Sequence, residues 1–547
     1  MRKKVFCIAL CLFAAGAAVF AVGNRQQAAS ARQTLEIGMQ TSPLCTDYKN
    51  NYLTQYLERR HDVELTIYEF PSSSSEVMTK IALLAASNEL PETIWGSNIM
   101  SWEQILDYGT GGLLVPLNRY FSDASKTPYF NQIPLANRQA ILRATTSADG
   151  NVYAFCRWRP DPNALTPFKF YINREWLTKL GLQEPKTTEE LRTVLRAFVN
   201  NDPNGNGRRD EIGVFGSMTR WGANTILALI NSFIYYNEAL IALDETGNNV
   251  IAPFTQPAFR TALQYLNSLF REGLLDASLF TVDEAGFRAA LSAEPAIVGL
   301  TTHGNDAGTY LGGTLDPNYL ASIPILAPLS SPISSGYTPY VDNASQPISW
   351  VTNRAKNPDL AVKVMDSFYD LEVSTISAYG EEGVDWTRDP AVLSNLYNPY
   401  VAMGTFPRVT IGFIVDNTSA PHSKHWIVRN PTYLPPETDL TGASIASTLG
   451  GTDTTYYSNV DTLRLYSPRL PQHLLPTLQY TSAEGDTLVQ VTPNIRSYVW
   501  ERSTAEFIVG TRDINSDAVW NEYLRTLDSM GLQTWLRYAQ TAWNRQK

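Results

Sequence analysis

Cysteine is scarce. The 547 residues include four, and two of them, Cys7 and Cys11, sit in an apolar leader. That leaves Cys45 and Cys156, each just after an expected strand, which in an oxidising compartment either pair or stay as two buried thiols. Charge is scarce too. Charged residues make up 18% of the chain, acids outnumber bases 53 to 43, and the formal charge is −10. A nucleic-acid partner, which needs a basic footprint, is thereby excluded. One long apolar run exists, residues 5–20, and it is too short for a transmembrane helix; no second follows. Also missing are H-E-x-x-H, G-x-S-x-G and G-x-x-x-x-G-K-[ST]. There is no internal repeat or heptad run, and no eightfold strand–helix count of a barrel.

Aromatic residues are abundant at 11%, with 12 Trp and 28 Tyr. An acidic, aromatic-rich surface suits neutral or polyhydroxylated ligands. Arg2, Lys3 and Lys4, the apolar run and the small residues up to Ala21 form an export signal over 1–21. Residues 22–33 read as a flexible tether. Cys11 follows Leu10 and is a poor lipidation site. The expected location is periplasmic or at the cell surface, with membrane association only if lipid is attached.

The length calls for two lobes. Residues 35–39 and 63–68 read as strands and 50–61 and 76–86 as helices, with a further strand at 90–97. This alternation predicts a mostly parallel sheet with helices on both faces, whose ligands sit outside the carboxyl ends of the strands. Trp95 lies at such an end. Pro160, Pro162 and Pro167 mark a connector. Beyond it, residues 257–272 carry Phe259, Leu263, Leu266 and Phe270 at helical spacing. Strands are expected at 296–300 and 347–351. Residues 388–477 show little periodicity.

Asp202, Asn204, Asn206, Asp210 and Glu211 place oxygen-bearing side chains on an Asn/Gly turn, with Gly207 at the sharp bend. Counting from Asp202, positions 1, 3 and 5 supply side chains and position 7, Arg208, a backbone carbonyl, as in a Ca²⁺ loop. The departure is at position 12. An EF-hand places a bidentate Glu there, and this chain has Gly213, so Asp210 and Glu211 must close the shell.

This loop follows Tyr171-Ile172-Asn173-Arg174-Glu175-Trp176-Leu177, Lys179-Leu180-Gly181-Leu182 and Pro185-Lys186-Thr187-Thr188. That order resembles the extracellular solute-binding proteins (family 1) of carbohydrate ABC importers, in the subgroup of alginate-binding proteins and LipO-type lipoproteins. Further matches are Gly112-Leu113-Leu114, the 262–276 helix ending Glu272-Gly273-Leu274-Leu275-Asp276, Tyr379-Gly380-Glu381-Glu382-Gly383-Val384-Asp385-Trp386, and Met530-Gly531-Leu532. The resemblance runs from about residue 35 to the end. It implies an α/β, two-lobe periplasmic-binding-protein-like fold of type II, with mixed, mostly parallel sheets flanked by helices and a hinge between lobes. Lobe 1 is expected over 34–160 and about 340–390, lobe 2 over 161–339 and about 391–547, with the calcium loop at 202–211.

The implied function is capture of an oligosaccharide in the interlobe cleft by a monomer, followed by delivery to membrane permease subunits. Ca²⁺ would be structural. Sugars present C–H faces to aromatic rings and hydroxyls to planar polar groups. Trp386 and Tyr379 are the first stacking candidates by resemblance. Trp95, Trp158, Trp221 and Trp350, near strand ends or connectors, are second. Arg157 and Arg159 suit a uronic carboxylate or a surface acid, and His303 and Asn305 follow a strand. Two alternatives are carried. One is a secreted glycoside hydrolase or polysaccharide lyase, for which Glu381, Glu382 and Asp385 would be the acids. The other is a surface binding or sensor protein outside transport.

Overall fold

The computed structural model describes residues 32–547 except 219, 305–324, 343–344, 397, 399–400, 402–403, 415–420, 440–441 and 445–461. The export signal and most of the tether lie outside the described residues, as does Asn305.

The strands in chain order are β1 (Gln33–Gln40), β2 (Val63–Phe70), β3 (Thr93–Trp95), β4 (Ala154–Trp158), β5 (Lys169–Ile172), β6 (Ile212–Val214), β7 (Ala242–Leu243), β8 (Val250–Ile251), β9 (Val298–His303), β10 (Ile325–Leu326), β11 (Ser345–Val351), β12 (Trp386–Thr387), β13 (Ile411–Phe413), β14 (Thr432–Tyr433) and β15 (Gly442–Ser444). The first lobe is built on a six-stranded sheet, β14-β4-β11-β3-β1-β2. All its neighbours are parallel except β11, which runs against β3 and β4. The second lobe holds the sheet β10-β5-β9-β6, in which β9 runs parallel to β6 and against β5.

The pleat explains why both faces of the first sheet are apolar. Successive side chains point to opposite faces. Leu35, Ile37, Met39, Trp95, Phe155 and Val351 enter one core with the helices Tyr52–His61 and Pro358–Asp366; Ile94, Ala154 and Trp350 enter the other with Val77, Ile81 and Ile105. The second lobe has one large core and a small satellite around Phe215, Phe287 and Val298. Its helix Pro257–Arg271 buries Phe259, Leu263 and Leu266, each contributing roughly 1.5–3 kcal/mol. The C-terminal helices Ser482–Arg496, Asp517–Ser529 and Leu532–Gln546 close the same core through Leu488, Tyr523 and Trp535.

One boundary expected from sequence is corrected. Sequence places residues after 390 in lobe 2, yet β14 pairs with β4, and Ile411, Trp426 and Tyr433 are buried in the first core. From Leu478 onward the chain packs with the second. Short strands and sparse apolar residues hid this return. Cys45 and Cys156 are both free and buried.

Buried imidazoles give the fold a pH limit. Burial, followed by Lys363 and Arg60, pushes His61 down to about 4. Burial, then His422, pushes His425 down to about 3. Both folded values lie below the unfolded one, so their stabilisation is complete above pH 6.5 and lost as pH falls through the folded values. Asp366, pushed up to about 6 by burial, works the other way below about pH 6, over most of that window. Two imidazoles outweigh one carboxyl. The expected result is a melting midpoint that falls by several degrees between pH 6.5 and 4, and less steeply in His425→Gln, as read by calorimetry. An unchanged slope in that variant would remove His425 from the account.

Candidate functional site

The crossovers decide where a ligand can sit. β4 ends at Trp158, and after residues 159–168 β5 starts at Lys169. The return crossover after β10 leads to β11, and Val341 N–H donates to Leu165 O (2.9 Å), tying the two crossovers together. Strand directions then put the carboxyl ends of β1, β3, β4, β6 and β9 on the edges that the crossovers join. By the rule that ligands sit outside the carboxyl ends of the strands, the candidate cleft is the space between those edges.

On the first edge a buried amide organises the backbone. Gln40, 1% exposed, ends β1. Its Oε1 accepts Ser97 N–H (2.9 Å), and its Nε2 donates to Ser72 O (3.0 Å) and Ser74 Oγ (3.1 Å). One side chain thus fixes the loops after β1, β2 and β3. A Cβ on Gly96 would meet Gln40 at 2.7 Å, so only glycine fits beneath it. A strand-terminal Gln before Thr-Ser carries no sequence signal of this role.

On the second edge stands Trp221, 39% exposed, on the loop after β6. Its ring lies against Gly304, which follows β9; a Cβ there would meet the indole at 2.2 Å. Gly222, at φ +72°, lets the loop turn within reach of Gly304 N. The result is a held, part-exposed indole, the kind of aromatic face a sugar ring needs for stacking.

The other expected aromatics do not offer such a face. Trp386 is fully buried, its indole N–H donating to Gly380 O (2.8 Å) and its ring covered by Arg388. Tyr379 is half-buried, 4.6 Å from the Phe413 ring. Trp95 packs on Phe368 and Trp426 in the core, and Trp350 is 1% exposed on the opposite sheet face. Trp158 stacks on Tyr433 (5.2 Å) and is nearly buried. His303 is 1% exposed and paired with Lys169 across β5–β9. For Trp95, Trp158 and Trp350, which lie on strands, the pleat turns the side chains into the cores. Arg157 is half-buried and precedes Trp158 at the end of β4. Two of the three acids singled out for an enzyme are tied to cations. Glu382 pairs with Arg388 (2.6 Å), and Asp385, 2% exposed, with Lys424 (3.3 Å).

Sequence reasoning missed a cavity of about 860 Å³ between the lobes, beside the 340–342 crossover. Trp102 and Glu103 line it from the first lobe, Tyr480, Asp486 and Trp535 from the second, and Tyr340 from the crossover. Next to it the lobes touch, Ser482 Oγ donating to Asp107 Oδ1 (2.7 Å). These residues are far apart in the chain, so nothing local announces them.

The Asp202–Glu211 loop joins the helix Thr188–Asn200 to the start of β6, so it lies at the opposite edge of the second sheet from the cleft. A capping box, Thr187 with Glu190, starts that helix. Asp202 Oδ1 accepts Gly205 and Asn206 N–H, and Oδ2 accepts Gly207 N–H. Gly205 and Gly207 have φ near +75°. Asn204 and Asn206 turn their amides on Asp210. Glu211 is 8% exposed, and both its carboxyl oxygens are buried without a hydrogen-bond partner. Burial, with Asp202 and Asp210 adding charge, raises its carboxyl above the ordinary range. Among the described residues no three His, Cys, Asp or Glu side chains form a ready metal cluster. An orphaned buried carboxylate beside two further acids nonetheless fits a hard cation, with Asn oxygens and the Arg208 carbonyl completing the donors.

No family model matches the chain. Full-length similarity to a curated protein is found instead. The fructooligosaccharide ABC transporter substrate-binding protein FusA of Streptococcus pneumoniae is 23% identical over 99% of this chain and 98% of its own. The chain is a homologue of ABC-transporter substrate-binding proteins. Lipoprotein LipO of Bacillus subtilis is 26% identical over 42% of each chain, and the polygalacturonan/rhamnogalacturonan-binding protein YtcQ of the same organism 22% over 48% of this chain and 46% of its own. Among solved structures, FusA in complex with kestose superposes with a TM-score of 0.71 at 21% identity, covering 94% of this chain and 99% of that one. A human-milk-oligosaccharide-binding solute-binding protein of Bifidobacterium longum infantis gives 0.76 at 18% identity, with the same coverage. These substrate-binding proteins share the two-lobe, periplasmic-binding-protein-like fold. Among the described residues no helix is long and apolar enough to cross a membrane.

Proposed function

We propose that this protein is the exported, non-enzymatic binding component of an ABC importer, which closes its lobes on an oligosaccharide and presents it to permease subunits. The observation that carries the reading is Trp221, a half-exposed indole held over Gly304 at the cleft edge. Aromatic side chains in the adjoining interlobe cavity give an extended sugar further surface to lie on. The full-length relative is named for fructooligosaccharides, so short fructans are the first ligands to try. Hinge closure about the crossovers would sequester the sugar, and a monomer suffices, because both walls come from one chain. Calcium belongs to this reading as a structural ion on Asp202, Asn204, Asn206, the Arg208 carbonyl, Asp210 and Glu211. A FusA form described as an EF-hand mutant supports a loop of that kind in a relative.

The test is a thermal-shift and calorimetric screen of the mature protein against fructans, uronic oligosaccharides and other neutral oligosaccharides, with chromatography of the sugar afterwards. A ligand that binds only the folded state raises the midpoint by mass action. Saturable binding of one class, with the sugar intact, is the expected result. Cleavage of the sugar would overturn the reading.

A further inference from the structure

Lys169 is a buried ammonium at the junction of three parts of the molecule. It is 0% exposed and opens β5. Its Nζ donates to Gly304 O at 2.6 Å and to Thr166 O at 3.2 Å. Thr166 belongs to the 159–168 crossover, where its hydroxyl donates to Pro162 O (2.8 Å). Gly304 is the floor under the Trp221 ring. A charge out of water costs several kcal/mol unless strong hydrogen bonds answer it. Met would fill much the same space without that cost. What Met cannot do is hold two carbonyls, one on the segment that joins the lobes and one under the indole.

We infer that Lys169 is a positioning residue for ligand capture, tying the lobe-joining crossover to the Gly304 floor so that the Trp221 face is set by the arrangement of the lobes. The inference rests on the proposed binding function for its consequence, but not for its geometry. Closing the lobes changes the backbone of 159–168. Through Thr166 O, Lys169 Nζ and Gly304 O, that change reaches the platform along two hydrogen bonds. A ligand stacked on Trp221 in turn favours the lobe arrangement in which both bonds are made.

The experiment needs a readout that does not depend on any ligand. Trp221 is half-exposed, whereas most other described tryptophans are buried. Its share of the emission is the difference between each protein and the same protein carrying Trp221→Phe. In Lys169→Met the acrylamide quenching of that share should rise about twofold or more, with the circular dichroism unchanged. Gly304→Ala, which pushes the ring from its floor, should produce the same change from the other side. With 1-kestose as probe, or whichever sugar the screen returns, Lys169→Met should weaken binding at least tenfold, and Lys169→Gln, which retains one donor for Gly304 O, should recover part of it.

Unchanged quenching of Trp221 in Lys169→Met would overturn the inference, whatever happens to affinity. If neither the Met nor the Gln variant folds, Lys169 is a support of the core and the inference falls. If quenching changes as expected but no sugar binds the wild type, the link between Lys169 and Trp221 holds and the binding function is what has failed.

Discussion

Trp221→Ala should reduce oligosaccharide affinity by at least 30-fold while leaving the melting midpoint within a few degrees of wild type. The physical reason is the asymmetry of this residue. One face of the indole is spent on Gly304, and a large part of the rest is open. Removing it costs little packing, so the fold should hold. It does remove a preorganised aromatic platform, and a central Trp contact is typically worth about 2–4 kcal/mol of binding, which is about 30- to 1,000-fold. Trp221→Phe keeps a smaller ring and should lose less. Calorimetric titration with the sugar returned by the screen reads both. Wild-type affinity in the alanine variant would move the site off the β6–β9 edge, and the aromatic cavity beside Tyr340 would then be the first place to look. Trp386→Ala is the contrasting control. That side chain is fully buried with its N–H bonded, so its loss should appear as a fall in stability of about 3–5 kcal/mol, not as a selective loss of binding.

Calcium removal is the second large effect expected. Glu211 buries a carboxylate with neither oxygen partnered, beside Asp202 and Asp210. Without a cation these acids repel one another, and the turn into β6 carries the strain of an unmet charge. At a free Ca²⁺ concentration 100 times the dissociation constant, binding to the native state alone contributes about 2.7 kcal/mol. Chelation should therefore lower the melting midpoint by several degrees, and added Ca²⁺ should restore it. In Glu211→Gln the buried charge is gone. That variant should melt close to the chelated wild type and respond little to Ca²⁺. Because the loop sits at the far edge of the sheet from the cleft, sugar affinity measured well below the midpoint should change much less than stability does. A wild type that ignores both chelator and Ca²⁺, with no calcium found by metal analysis, would show the loop to be an Asn/Gly turn and nothing more.

The sequence was most informative where the physics is local. Alternation over 63–68 and the helical spacing of Phe259, Leu263 and Leu266 depend only on neighbours a few residues away, and both elements are present as expected. The oxygen-rich turn is likewise local, because Asp202 reaches Gly205, Asn206 and Gly207 within its own loop. The run of ordered motifs pointed to the family, and full-length similarity to a substrate-binding protein bears that out. What sequence handled poorly was the direction of each aromatic side chain. Trp95, Trp158, Trp221 and Trp350 all stood near strand ends or connectors, and only the last turn of the backbone separates a platform from a core residue.

By itself the sequence determined the class of molecule: two lobes of alternating strands and helices, a short apolar run near the N-terminus, an acidic loop apt for a hard cation, and aromatic residues in plenty. Each follows from composition or from interactions within about ten residues. Tertiary structure alone decided which indole beside a strand end stays exposed, which backbone carbonyls and amides Gln40 and Lys169 hold, and that Ile411, Trp426 and Tyr433 return to the first core. Those outcomes depend on pleat parity, on crossover direction and on contacts between segments more than a hundred residues apart, such as Lys169 with Gly304. A linear chain does not display which of its distant carbonyls a buried ammonium will meet.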